Sequence, residues 1–202
     1  ARLFGTLLRV SRSRVARLYS LHGGSLHYDE NTLVGRIFFT LERLMERFTD
    51  RLLFVSDYER RTYAQKIGQP PVSNSLVYNG LRPEEFEPVA PRADAADFLY
   101  IGMMRGLKGP DLFIDALARC EKETGRSISA IMVGDGDELP EYRAQVDRLG
   151  LASRVRFLSP MPARQAFALA RTIVVPSRAE AMPYIVLEAL GAGMPMIATR
   201  VG

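Results

Sequence analysis

The chain has 202 residues, 47% of them hydrophobic and 25% charged, with a net charge of +4. That balance excludes a disordered chain, and the length allows one large domain or two small ones, each with a real core. A membrane span needs roughly 20 apolar residues in a row, which the sequence nowhere supplies, and its single cysteine excludes an internal disulfide and fits a reducing compartment.

The first residues, "ARLFGTLLRVSRSR", lack the separate apolar core and cleavage site of a signal peptide. Arg2, Arg9, Arg12, Arg14 and Arg17 all precede the first acid. Such a run suits phosphate, anionic lipid headgroups or nucleic acid, or is simply a solvated face. No RNA-binding aromatic motif, zinc-finger spacing or low-complexity tract accompanies it, so nucleic acid is not an expected partner.

Residues 15–21 form a short strand candidate ending in "HGG". Residues 33–48 predict a helix, with Ile37, Leu41, Leu44 and Phe48 at three- and four-residue steps. "RLLFVS" (51–56) is a compact buried strand. Ser56 and Asp57 cap the next helix, which Gly68 and the pair Pro70-Pro71 bring to a stop. "SLVYNG" (75–80) predicts another strand, closed by Asn-Gly turn chemistry. The proline-rich, charged stretch "LRPEEFEPVAPRADAAD" (81–97) is the best linker candidate.

Beyond it the rhythm sharpens. Strands are predicted at "FLYIG", "ISAIMVG", "RVRFLS", "TIVVPS" and "MPMIAT". The helices between them are "GPDLFIDALARCEKETG", "ELPEYRAQVDRLG", "PARQAFALA" and residues 183–190. This alternation implies βαβ units, a parallel sheet and right-handed crossovers. Cys120 follows Phe113 and Leu117 at helical spacing and reads as a core residue. The chain begins with a helix-like piece and stops at "TRVG" directly after a strand. Neither end reads as a domain terminus, so a piece of a longer protein is expected.

In an open parallel sheet, ligands bind beyond the carboxyl ends of the strands. Four loops there carry chemistry. Gly102-Met-Met-Arg-Gly-Leu-Lys-Gly109 combines glycines that allow close backbone approach, the cations Arg105 and Lys108, and a helix start whose dipole favours anions. These parts suit a diphosphate, although the Walker order is absent. The plain alternative is a glycine turn with solvated charges. "VGDGDE" sets Gly134 and Gly136 around Asp135, either for a nucleotide edge or for a turn. "PSRAEAMP" places Glu180 just outside a helix that starts near Pro183. Glu188 lies within that helix, roughly 7–8 Å further along its axis than Pro183. Such a separation does not suit a close retaining carboxylate pair. The two acids are either two grips on one extended ligand, or a dipole-complementing acid and a solvated one. "LHGGS" offers His22, which is otherwise structural or solvated; His27 has no partner pattern. No histidine, cysteine and carboxylate cluster shows metal-ligand spacing.

Taken together, the pieces "LHGG", "FVSDYER", "VYNG" followed by "EEFEP", "YIGMMRGLKGPDLFIDAL", "VGDGDE" and "VVPSRAEAMPYIVLEALGAGMPMIATRVG" resemble the retaining GT-B glycosyltransferases of family 4, glycosyl transferase group 1. They occur in the family's order, cover nearly the whole chain, and end in its Glu-x7-Glu signature.

The resemblance implies an α/β fold of two facing Rossmann-like domains, parallel sheets flanked by helices. Residues 1–78 would be the second half of an acceptor-side N-terminal domain. Residues 79–202 would be a nucleotide-sugar donor domain without its final elements. It implies that Lys108 contacts the donor diphosphate with Arg105 as companion. The family's commonest pattern has arginine directly after Gly102, where this chain has Met103. Glu180 would face the donor sugar, Glu188 would hold ribose hydroxyls, and Gly102 and Gly134 would lie against the donor. His22 would border the sugar. Ala181 stands where the family often has glycine, and with Met182 and Pro183 it should stiffen the donor loop and affect sugar choice.

The implied reaction moves a sugar from a nucleotide-sugar substrate to a glycan or lipid-linked acceptor in polysaccharide or cell-envelope synthesis. Configuration is retained, no metal or cofactor is called for, and a cytoplasmic setting is expected; the basic N-terminal run suggests peripheral contact with an anionic membrane. A sugar-nucleotide epimerase and a non-catalytic nucleotide-sugar-binding fragment are the other readings.

Overall fold

The computed structural model describes residues 15–202, so the arginines at 2, 9, 12 and 14 lie outside the described residues. Arg17, the last of that basic run, forms an ion pair with Asp50 at 2.5 Å. The chain divides into two units. One takes the described residues up to Asn79 together with 180–182 and 202; the other takes 80–179 and 183–201.

In the first unit the apolar run around Leu52 becomes the middle of a parallel sheet, ordered β1 (Leu18–Ser20), β2 (Arg51–Phe54), β3 (Ser73–Leu76). Leu53 pairs with Ser20 on one side and Ser75 on the other. Helix α1 (Leu33–Met45) starts where the Thr32 side chain accepts from the Gly35 amide. Helix α2 (Asp57–Lys66) starts where the Ser56 hydroxyl accepts from the Glu59 amide at 3.0 Å. Leu21, Phe39, Leu52, Phe54, Tyr63 and Ile67 form the core.

Three expectations change here. The predicted helix over 33–48 is α-helical only to Met45 and ends in a 3-10 turn, Glu46–Phe48. Its predicted apolar stripe is also not the buried one. Ile37, Leu41 and Leu44 are 51%, 46% and 45% exposed, whereas Gly35 and Phe39 are buried. Periodicity marks a stripe but not the direction it faces. Here Gly35 sets the approach: a Cβ on it would stand 2.0 Å from the Asp29 carbonyl oxygen, so only a bare glycine lets that turn close. The predicted strand over 75–80 is shifted to Ser73–Leu76. The Val77 amide still donates to the Phe54 carbonyl, but Val77 and Tyr78 then leave the sheet with exposed side chains.

The second unit has five parallel strands: β4 (Ala96–Ile101), β5 (Ala130–Val133), β6 (Val155–Leu158), β7 (Ala170–Val175) and β8 (Met196–Ala198). Helices α3 (Pro110–Thr124), α4 (Leu139–Arg148), α5 (Ala163–Phe167) and α6 (Tyr184–Gly191) connect them. The order is β6-β5-β4-β7-β8. The chain therefore winds outward from β4 to β6, crosses back to the other side of β4, and winds outward again. That reversal makes a topological switch point between β4 and β7.

Alternate residues supply two cores, as the two-residue period of a strand requires. Leu99, Ile131 and Ile173 pack with Phe167 and Ala189, while Tyr100 and Met132 pack with Phe113, Ile114 and Tyr142. Cys120 is half-buried against the second cluster, in keeping with its reading as a core residue.

The stretch 81–97 is no free linker. It makes a 3-10 turn at Pro83–Phe86, and Asp97 already belongs to β4. The Arg164 guanidinium donates to the carbonyls of Glu85 and Glu87 at 3.2 and 2.8 Å. The amides of Val89 and Arg92 donate to the carbonyls of Ala192 and Ala168. Prolines reduce the stretch's own donors, but its carbonyls and remaining amides still find partners. Composition does not reveal that strapping.

Candidate functional site

Three loops leave the carboxyl ends of β4, β5 and β7 in the second unit. They are held backbone to backbone, and glycine is the reason they approach so closely. The Gly102 amide donates to the Val133 carbonyl at 3.0 Å and the Met104 amide to the Asp135 carbonyl at 2.9 Å. A Cβ on Gly134, which has φ 151°, would stand 1.9 Å from the Gly102 carbonyl oxygen. One on Gly136 would stand 2.5 Å from the Met104 carbonyl oxygen. Gly109, at φ 70°, leaves 2.2 Å between such a Cβ and the Pro176 carbonyl oxygen. None of these glycines can be replaced without moving main chain, so "MMRGLKG", "GDGDE" and "PSR" form one rigid rim beside the switch point.

Lys108 ends the 3-10 turn Gly106–Lys108, its amide donating to the Arg105 carbonyl at 2.9 Å. Gly109 then caps α3 in the left-handed conformation and Pro110 occupies its first position. The side chain of Lys108 is half-buried and that of Arg105 exposed. Helix α3 thus begins at Pro110, with only the capping Gly109 between it and the lysine, as the sequence predicts.

Four residues that the sequence reading did not single out grip this turn. Glu138 accepts a hydrogen bond from the Gly106 amide at 2.8 Å and another from the Tyr142 hydroxyl. The Arg178 guanidinium donates to the Gly106 carbonyl at 2.5 Å and, in a fork, to both Asp111 oxygens at 2.8 and 2.5 Å. The amide of Arg178 donates to the Leu107 carbonyl. Hydrogen bonding to Arg178 holds the Asp111 carboxyl below its usual range. Burial, and then the bond to Glu138, pushes the Tyr142 phenol up. No spacing rule could have joined residues 106, 111, 138, 142 and 178; only the sheet order brings their loops together.

Glu188 lies on α6, whose first residue is Tyr184; Pro183 is the residue before it, in extended conformation, one place earlier than predicted. The Glu188 carboxyl is half-buried. Burial, and then the nearby Glu85, hold it above the ordinary value of 4.5. A Cβ on Gly191, one turn on, would meet the Glu85 carbonyl oxygen at 2.8 Å, so the 3-10 turn at 83–86 is seated closely on this helix.

In the first unit His22 follows β1 and is exposed, with Nε2 3.3 Å from the Ser20 hydroxyl. Gly23 and Gly24 both have positive φ, 79° and 43°. Glu59, fully buried, accepts from the Gly23 amide at 2.6 Å and the Val55 amide at 2.9 Å, fixing the turn after the histidine. His27 is a structural residue: its Nδ1 lies 2.8 Å from the Gly24 carbonyl, and its ring packs on Tyr28. Residues 180–182 group with this unit. A Cβ on Gly23 would stand 3.8 Å from the Ala181 Cβ. The Asn79 amide side chain donates to the Met182 carbonyl at 2.8 Å. Of the sequence-predicted residues, the structure therefore brings Gly102, Arg105, Lys108 and Gly134 onto one rim, and the His22 turn next to Ala181 beside Glu180. Among the described residues no helix is long and apolar enough to cross a membrane.

Residues 95–202 match the family of glycosyl transferases group 1. A D-inositol 3-phosphate glycosyltransferase of Kribbella flavida is 32% identical over 173 residues, covering 76% of this chain and 41% of the relative. The chain thus spans about two-fifths of the length of that relative. Among solved structures, Anabaena Alr3699/HepE in complex with UDP and glucose superposes with a TM-score of 0.81 at 22% identity, covering 99% of this chain and 56% of the other. Sucrose-phosphate synthase from Thermosynechococcus elongatus superposes with a TM-score of 0.79 at 22% identity, covering 100% and 55%. These likenesses give the fold, a GT-B type built from parallel sheets flanked by helices. With its strand order and glycine-locked rim, and with the family match over more than half its length, the chain belongs to the group 1 glycosyl transferases.

Proposed function

We propose that the protein moves a sugar from a nucleotide-sugar donor to a glycan or lipid-linked acceptor with retention of anomeric configuration. The observation that carries this reading is the rim beside the switch point, where three loops with no room for a Cβ hold Lys108 at the start of α3. A preorganised cation in such a place stabilises charge as it develops on a departing diphosphate. Arg105 adds a second, more exposed cation. Glu180 serves the donor sugar and Glu188 the ribose hydroxyls, while Gly102 and Gly134 allow the nucleotide close to main chain. His22, Ala181 and Met182 are assigned to the donor sugar. The complexes of the Anabaena neighbour with UDP and with UDP-glucose make a uridine nucleotide the first donor to try. Thermal shift against UDP-, GDP- and ADP-sugars tests the reading. At least one should raise Tm in a saturable way; no shift with any of them would refute it.

A ribose role for Glu188 has a pH signature. Its carboxyl, held above 4.5, takes up a proton sooner than an ordinary glutamate as pH falls. An ionised carboxylate accepts from two hydroxyls better than its neutral form does. Donor KM is therefore expected to rise on acidification through that raised value, and Glu188→Gln should remove this dependence. At neutral pH Glu188→Ala should raise donor KM more than it lowers kcat, and an effect on kcat alone would contradict the assignment. Stability runs the other way. The folded state binds this proton more tightly than the unfolded one, so the residue's contribution declines as pH rises from 4.5 through the raised value. Glu188→Gln should accordingly raise Tm at neutral pH and have less effect in acid.

A further inference from the structure

We propose that Glu138 and Arg178 are positioning residues that set the diphosphate contact by clamping one residue, Gly106, through its amide and its carbonyl. The inference rests on the reading of Lys108 as the diphosphate ligand. Glu138 takes the Gly106 amide at 2.8 Å, and Arg178 takes its carbonyl at 2.5 Å. That carbonyl also receives the Gly109 amide at 3.1 Å, the bond that closes the turn around Lys108. Both poles of the residue two places before the lysine are therefore held by charged side chains from other loops.

Each clamp residue is itself held. Tyr142, one helical turn beyond Glu138, donates its hydroxyl to the same carboxylate oxygen that receives Gly106. Asp111, in the first turn of α3, takes the Arg178 guanidinium in a bidentate fork. Such a planar fork is a geometry that lysine does not reproduce. Arg178 belongs to the segment after β7 and Glu138 to the segment after β5, so the loop after β4 is gripped from both neighbouring strands. Neither clamp residue needs to touch the donor. A turn of three residues has little rigidity of its own, and catalysis is sensitive to misplacement on the scale of 1 Å.

The test compares binding of UDP with UMP, and of GDP with GMP and ADP with AMP, by calorimetry on the protein with its native termini. The diphosphate preference isolates the contact that the clamp serves. Glu138→Ala and Arg178→Ala should each weaken binding of the preferred diphosphate about tenfold while leaving the monophosphate within about twofold, as expected for a misplaced ligand group. Glu138→Gln, which keeps an acceptor for Gly106 and Tyr142, should restore most of the loss. Arg178→Lys, which keeps the charge but not the fork, should not. If an alanine variant fails to fold, Glu138→Gln and Arg178→Lys still give opposite outcomes on the clamp. Equal losses of mono- and diphosphate affinity, or unchanged affinity, would overturn the clamp while leaving the diphosphate site in place. A wild-type protein that binds no diphosphate more tightly than its monophosphate would overturn the Lys108 reading itself, and the clamp with it.

Discussion

Lys108→Ala is expected to lower sugar transfer by at least about tenfold to a hundredfold, the scale on which a contact to developing charge is lost. The Gly106–Lys108 turn is shaped by main-chain bonds and by the two clamp contacts on Gly106. A loss in chemistry is expected, and it is to be read apart from any loss in folding. Steady-state kinetics with the donor found by thermal shift, together with a melting curve, separate the two. If the lysine acts mainly on the departing diphosphate, kcat and kcat/KM fall together. Turnover at the wild-type level would remove Lys108 from the site.

Gly134→Ala should be the most damaging small substitution in the second unit. The added methyl would stand 1.9 Å from the Gly102 carbonyl oxygen, at a φ of 151° that side chains rarely adopt. The obstacle is main chain at the end of β4, and Gly102 is tied to Val133 by its own amide. Backbone strain and overpacking together put the cost on the order of 3 kcal/mol. For a chain of this size that is roughly 6–12 °C in Tm. Gly125→Ala is the control: φ is 67° there, but nothing lies within 4 Å of the added Cβ. It should cost only the left-handed strain, about 1 kcal/mol. Equal melting temperatures for the two variants would show that the rim yields where the geometry says it is locked.

Much of this molecule was legible as sequence because it is written in local terms. A run such as "AIMV" is apolar at every position, and it became a strand buried along its whole length, as a parallel sheet covered on both faces requires. Ser56 before "DYER" and Gly125 after "CEKET" marked helix ends through the chemistry of their own backbones. The loops at strand ends and the order of the family's motifs were enough to name the fold and the group 1 glycosyl transferases. Where the reading failed, the missing information was non-local. The stripe on α1 was visible, but its orientation depends on Gly35 closing against Asp29. The stretch 81–97 looked like a linker because its partners, Arg164, Ala168 and Ala192, lie seventy or more residues further along the chain.

The candidate site divides in the same way. Local chemistry along the chain was enough to point to the glycines, Lys108, Arg105, Glu180 and His22 in the loops after strands, and to Glu188 within the following helix. Those choices follow from what a short segment must do, whether to turn, start a helix or carry charge. The pairing of Gly134 with Gly102 and of Gly109 with Pro176, and the meeting of Glu138 and Arg178 on the two sides of Gly106, came from the fold. The reason is physical. Hydrogen bonds and van der Waals contacts act over a few ångströms in space. The strand order β6-β5-β4-β7-β8, not distance along the chain, sets which loops come within that range.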